Sequence, residues 1–242
     1  MTFNRLVDAA MDGRNPRTAG RALATGEVSR RAAWAFFGAC AFGFVGTTVL
    51  FYRGVGGWFG YGNPWPAVWA GPVLAFICLY SYSKRFTWAS HFWLGAALML
   101  GPVAGWAASA PPAGPVVAAA PVVLGLGVLL WVAGFDMVYA CQDVEVDRRE
   151  GLHSLPARMG VANALWVSRL CHSLAVTFFL VLAWVVPFGR AYLAGVAGAA
   201  AILSVEHVLV VRGRPGLAFS LNLVVGPLLA GVAIGELLWR EG

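Results

Sequence analysis

The sequence predicts an all-α fold, a multi-span transmembrane helical bundle, and three observations carry that reading. Of its 242 residues 60% are hydrophobic and only 12% charged, whereas soluble domains hold about 45–50% apolar and about 25% charged residues. The mean hydropathy is +0.73. The apolar residues gather in seven runs of the length, roughly 20 residues, that a helix needs to cross a hydrocarbon core of about 30 Å. None of these Leu-, Val- and Ala-rich runs has the strict alternation over about 10 residues that marks a membrane β-strand.

Taken in order, the predicted spans run from Ala32 to Tyr52, Ala67 to Ser83, His91 to Ala110, Val116 to Cys141, Ala162 to Val186, Tyr192 to Val211 and Phe219 to Trp239. Gly, Pro or Arg punctuates each end. Gly125, Gly127 and the Gly226-Pro227 pair fall inside spans, where small residues allow close helix packing in lipid. The longest polar stretch between spans, about 142–161, is too short for a domain, so residues 1–242 read as a single integral-membrane domain. The four cysteines Cys40, Cys78, Cys141 and Cys171 have no ligand-like spacing and read as small core hydrophobes.

Charge orients the bundle. With the spans alternating in direction, only Arg53, Arg190 and Arg240 fall on one side, leaving 14 of the 17 Lys and Arg residues on the other. The positive-inside rule makes the basic side cytoplasmic and sends the carboxyl terminus out. The net charge of +6 is then a matter of topology in a lipid bilayer and calls for no nucleic acid.

Seven of the eleven carboxylates lie in two short clusters at that basic edge. Asn4, Asp8 and Asp12 recur every four residues and share one helix face. Asp136, Asp143 and Asp147, at spacings of seven and four, are expected on one face of a second helix, with Glu145 and Glu150 pointing elsewhere. Taken singly, each Asp is explained as a solvated charge balancing the arginines. Two spaced clusters on one edge, with basic residues between them, fit better the oxygen-only ligand sets of a hard ion such as Mg²⁺, which completes its shell with water and phosphate. Two facing Asp-rich edges would hold a diphosphate through bridging metals.

The stretches FNRLVDAAMDGRNPRTAGRALATGEVS from Phe3 and YACQDVEVDRREGLHSLPARMG from Tyr139 resemble the two aspartate motifs of the UbiA superfamily of intramembrane aromatic prenyltransferases. YSYSKRFTW, from Tyr80, is similar to a third signature between them. The closest flavour is the 4-hydroxybenzoate polyprenyltransferase branch, including relatives serving menaquinone synthesis by the futalosine route. The resemblance implies that Asn4, Asp8 and Asp12 (NxxxDxxxD) and Asp143 and Asp147 (DxxxD) bind Mg²⁺ and a prenyl diphosphate. It also implies that Lys84, Arg85 and Tyr80 steady the diphosphate, with Arg17 and Arg21 matching basic positions after the first motif. Arg5 departs from the NDxxDxxxD form, which bears on the geometry of the first metal.

The implied activity is transfer of a polyprenyl group from prenyl diphosphate to an aromatic acid acceptor, 4-hydroxybenzoate or a hydroxynaphthoate, in ubiquinone or menaquinone biosynthesis. A related enzyme using a porphyrin or chlorophyll precursor is the alternative. Elementary chemistry agrees: Mg²⁺, Lys and Arg stabilise the charge that grows on a leaving diphosphate, and an aromatic and aliphatic pocket keeps water from an allylic cation. No Ser-His-Asp, HExxH or Walker pattern competes. A transporter would place its acids near the bilayer midplane rather than at one edge. The resemblance further implies a nine-span bundle in which one helix and most of a second precede the first motif. The sequence is therefore expected to lack on the order of 40 residues, and the 242-residue form to be poorly active.

Other positions admit two readings. Tyr139, one turn before Asp143, lines the reacting site by ring contact with a cation or is a packed aromatic. His153 and Arg158 cap the site or are a turn residue and a topology charge. Glu206 is an intramembrane acid, functional by default, and its neighbour His207 points to another face. Glu236 reads as interfacial, and Trp58, Trp65, Trp69, Trp184 and Trp239 as belt anchors.

Overall fold

The computed structural model describes residues 1–53, 63–109 and 115–241 and is helical throughout its ordered elements. A short amphipathic helix, α1 (Thr2–Asp12), and a single turn, α2 (Ala22–Thr25), lead into α3 (Arg30–Arg53), α4 (Trp65–Ser83), α5 (Ser90–Ser109) and α6 (Pro115–Ala140). Two small helices follow, α7 (Val144–Arg149) and α8 (Leu155–Met159), before α9 (Val161–Val185), α10 (Arg190–Val211) and α11 (Pro215–Glu241). Seven of these helices are long and apolar enough to cross a membrane, and they match the predicted spans within a few residues. Trp58 and the predicted span end at Ala110 lie outside the described residues.

α6 is the axis of the bundle, packed along α5 on one side and α9 on the other, while α10 pairs with α11 and α3 with α4. Close approach depends on missing side chains. A Cβ built on Gly95 of α5 would stand 2.2 Å from the Leu129 carbonyl oxygen of α6, and one on Gly127 of α6 would stand 2.5 Å from the Phe179 ring of α9. Phe179 is itself buried with Ala175, Leu182 and Val196 in the core between α6, α9 and α10. Outward-facing apolar residues such as Phe42, Leu170, Trp184 and Trp239 remain exposed on the bundle surface, as a lipid solvent requires. Trp65 and Trp69 are exposed too.

The chain reverses so that the end of α1, the α4–α5 turn, the end of α6 and the whole of α7 and α8 meet at one end of the bundle. Phe3 fastens α1 there, its ring 5.1 Å from Phe37 and 5.9 Å from Trp34 of α3 and 6.1 Å from Tyr82 of α4.

Two expectations are corrected. Asp136, Asp143 and Asp147 do not share a continuous helix face: α6 ends at Ala140, a turn follows, and Asp143 is the residue that starts α7. Cys40 is exposed on α3 rather than in the core, although all four cysteines are free as expected. Glu236, read as interfacial, has a structural partner as well: its carboxylate accepts from the backbone N–H groups of Gly189 and of Tyr192, the latter at 3.0 Å. It thereby caps the α10 N-terminus from α11, satisfying donors a helix start leaves unpaired.

Candidate active site

The turn after α4 brings Lys84 into the middle of the acidic residues. Lys84, half-buried as a residue, makes no ion pair within 4.0 Å among the described residues, yet Asp136, Asp147, Asp143 and Asp8 all lie within electrostatic reach of its ammonium. Burial works to depress the Lys84 pKa, but the four carboxylates outweigh it and hold the group above the ordinary lysine value. A charge surrounded in this way stays ionised at neutral pH and keeps its three donors for a further anion. The backbone helps to set it: the Lys84 carbonyl accepts from the His153 N–H at 2.7 Å, tying the α7–α8 turn to the α4–α5 turn.

The first motif is helical, and its residues share a face of α1 as expected. Asn4 donates to Asp8 at 3.0 Å, and Arg85 reaches the other Asp8 oxygen and the Val7 carbonyl, both at 3.2 Å. Asp12, buried, accepts from Arg21 at 2.6 Å and has Arg5 at 3.8 Å. Arg5, the residue that departs from the motif form, thus faces the last carboxylate of the same helix. Burial raises the Asp8 pKa against the pull of Arg85, and raises that of Asp12 against Thr18, Arg5 and Arg17.

The second motif is stitched to the loop that follows the first. Arg17 lies across the Asp143 carboxylate with two donors, one at 2.8 Å, and Asn15 donates to the same group at 3.0 Å. Arg14 grips Glu150 through two donors at 2.9 and 2.5 Å. Tyr139 is more than a packed aromatic: its hydroxyl accepts from Arg17 at 2.6 Å and its ring lies 4.7 Å under that guanidinium, with Phe135 and Phe219 as its other neighbours. Asp147 is 5% exposed and its Oδ2 has no hydrogen-bond partner among the described residues. Burial pushes its carboxyl up while Lys84 and Ser154 pull it back. Tyr80, half-buried on the last turns of α4, stands within electrostatic reach of Asp136 and Asp8.

Among the described residues no three His, Cys, Asp or Glu side chains converge as a ready-made ion cage. The residues nonetheless fit a hard cation. The donors are oxygen throughout, one buried carboxylate oxygen is unpartnered, and Mg²⁺ asks a protein for only one or two carboxylates beside substrate phosphate.

One partner has no counterpart in the sequence reading. His91 is fully buried, with Nδ1 2.6 Å from Asp136, and its Nε2 accepts from the Leu155 N–H at 3.2 Å. Since Nε2 must offer a lone pair, Nδ1 carries the proton and donates it to Asp136, fixing the carboxylate beside Lys84. His91 thereby joins the starts of α5 and α8 to the end of α6. His153 and Arg158 stay peripheral; His153 acts through its backbone, and Arg158 lies 5.9 Å over the Trp88 ring. Glu206 and His207 point apart, to Asn222 at 3.0 Å and to His172 at 3.0 Å.

Comparison with known proteins gives the same assignment. Residues 1–234 match the model of the UbiA prenyltransferase family. The 4-hydroxybenzoate octaprenyltransferase of Alcanivorax borkumensis is 30% identical over 214 residues, 86% of this chain and 66% of that one. The chain therefore spans just under two thirds of that relative's length. The solved apo structure of a UbiA homolog from Aeropyrum pernix K1 superposes with a TM-score of 0.84 at 31% identity, covering 98% of this chain and 84% of the other. A digeranylgeranylglyceryl phosphate synthase structure, 20% identical with a TM-score of 0.63 over 97% of this chain and 79% of the other, shares the fold. With matching motifs, helices and sequence over nearly its whole length, the chain belongs to the UbiA prenyltransferase family.

Proposed function

We propose that the protein transfers a polyprenyl group from a prenyl diphosphate to an aromatic acid in ubiquinone or menaquinone biosynthesis, at the basic, cytoplasmic face of the cell membrane. The observation that carries the reading is the Lys84 ammonium, unpaired among the described residues yet flanked by carboxylates from both motifs. Its donors are free for phosphate oxygens, and its charge opposes the negative charge that accumulates as the C–O bond of the prenyl diphosphate breaks. Asn4, Asp8, Asp12, Asp143 and Asp147 would hold Mg²⁺, which supplies Lewis-acid stabilisation of the leaving group. Arg17, Arg21 and Arg85, each now on a motif carboxylate, offer bidentate donors for which a diphosphate competes. Tyr139 presents a ring to the same end, and Tyr80 borders it from α4. A new bond then forms to an electron-rich ring carbon, which loses its proton.

The similarity to 4-hydroxybenzoate octaprenyltransferases favours 4-hydroxybenzoate as acceptor, with a hydroxynaphthoate second. Incubating membranes that contain the protein with Mg²⁺, a prenyl diphosphate and a panel of aromatic acids, and weighing the products, decides among them. A product heavier than one acid by the prenyl group less one hydrogen atom identifies the acceptor. Diphosphate turnover with no prenylated aromatic product would contradict the reading.

A further inference from the structure

A cavity of about 700 Å³ lies away from the aspartates. It lies between α9 and α10 on the outside of the bundle, toward the end that carries the motifs. Its lining changes character with depth. Arg169 and Arg212 stand at the rim, His172 and His207 lie about a turn further in, and Val176 and Leu203 line the far end. On α9 these steps are three and four residues, about 4.5 and 6 Å along the axis.

Two features of this site bear on what it could hold. The two rim arginines make no ion pair among the described residues, whereas Arg14, Arg17, Arg21 and Arg85 are each matched to a carboxylate. Arg169 is held instead 5.4 Å over the ring of Trp166, an exposed aromatic of the kind that marks the membrane interface. The second feature is the histidine pair. His172 and His207 are 4% and 8% exposed, and His172 Nδ1 faces His207 Nε2 at 3.0 Å. One imidazole donates to the other, and while His172 also has the Trp131 backbone within hydrogen-bonding reach, His207 Nδ1 has no hydrogen-bond partner among the described residues. An unpaired polar atom at membrane depth is costly. His172 Nε2 is turned toward Gly134 of α6, which leaves His207 Nδ1 as the free atom of the pair on the α10 side.

We propose that this groove holds one anionic phospholipid. Its phosphate lies between Arg169 and Arg212, its glycerol–ester region reaches the histidine pair, and an acyl chain runs past Val176 and Leu203. The order of cation, hydrogen-bonding group and aliphatic wall along the groove matches the order of groups in such a lipid. The two unpaired guanidinium groups select a net negative headgroup over a zwitterionic one.

Native mass spectrometry of the full chain, titrated in detergent with dioleoylphosphatidylglycerol or dioleoylphosphatidylcholine, tests this. The proposal expects one phosphatidylglycerol retained per chain in clear preference to phosphatidylcholine. The Arg169→Gln/Arg212→Gln double variant should weaken phosphatidylglycerol by about fivefold per arginine, roughly 25-fold together, and leave phosphatidylcholine unchanged. Arg212→Gln alone, at an exposed helix end, gives the smaller step without risk to the fold. Equal retention of the two lipids, or unchanged affinity in the variants, would overturn the proposal. Displacement of the lipid by millimolar inorganic phosphate would overturn it too, assigning the rim to a free anion. Mg²⁺-dependent prenyl diphosphate binding should be the same in variant and parent, because neither arginine belongs to the motif site; a parallel loss of both would place the variants' effect in the fold and contradict a separate lipid site.

Discussion

Asp8, Asp12 and Asp147 have carboxyl pKa values raised by burial. In the folded chain they keep protons at a pH where unfolded carboxylates, near about 4, have lost them. Their contribution to stability is therefore full below the unfolded value and is lost as pH rises through the folded values. A hard cation needs the ionised form, so its affinity moves the opposite way. Thermal unfolding with and without Mg²⁺ should give a larger Mg²⁺-induced rise in Tm at about pH 7.5 than at about pH 5; an equal or larger rise at the lower pH would contradict the assigned ligands. Asp143, held by Arg17 and Asn15, gives a second test at this scale. Asp143→Asn is isosteric and should lower prenyl transfer by about 10²–10³-fold while Tm and expression stay close to those of the parent. The aspartates were legible in the sequence because a membrane chain tolerates few acids, so clusters at one edge stand out. His91 and Asn15 were not, since their partners lie 45 and 128 residues away and leave no local pattern.

Helices obey two rules here that the sequence expresses unequally. Span positions follow from apolar length, which is why all seven were readable to within a few residues. The break between α6 and α7 was not, because reading Asp136, Asp143 and Asp147 as one face assumed an unbroken 3.6-residue period across Cys141 and Gln142. Close packing is equally hidden until helices are placed. Gly95→Val should force α5 from α6 against the Leu129 carbonyl and cost about 1–3 kcal/mol, read as a lower Tm in detergent. Glu236→Ala removes the cap that α11 lends to α10 and should cost about 0.5–2 kcal/mol. Glu236 lies at the opposite end from the motifs, so prenyl diphosphate affinity should be unaffected. Loss of that affinity together with Tm would show the two ends to be coupled.

At the scale of the whole molecule, the charge asymmetry and the position of the site coincide. Lys84, Arg85 and both aspartate motifs sit at the end of the bundle that carries 14 of the 17 basic residues. A reporter inserted at Gly151 should be protected in the cytoplasm, and one fused after Gly242 should be accessible from outside; the reverse pattern would turn the site away from cytoplasmic diphosphates. The bundle also explains how two motifs more than 120 residues apart meet at one end. Arg14, Asn15 and Arg17 carry the first onto the second through Glu150 and Asp143; for the arginines and the carboxylates the sequence showed the charges but not the pairing.

The central claim is that these residues are one Mg²⁺-dependent diphosphate site organised around Lys84. Equilibrium binding of a geranyl thiolodiphosphate, which resists ionisation, measures it without reference to the acceptor. The account predicts binding that requires Mg²⁺, is abolished by EDTA, and falls by at least about tenfold in both Lys84→Met and Asp143→Asn. Binding that is independent of Mg²⁺ and unchanged in both variants would contradict it.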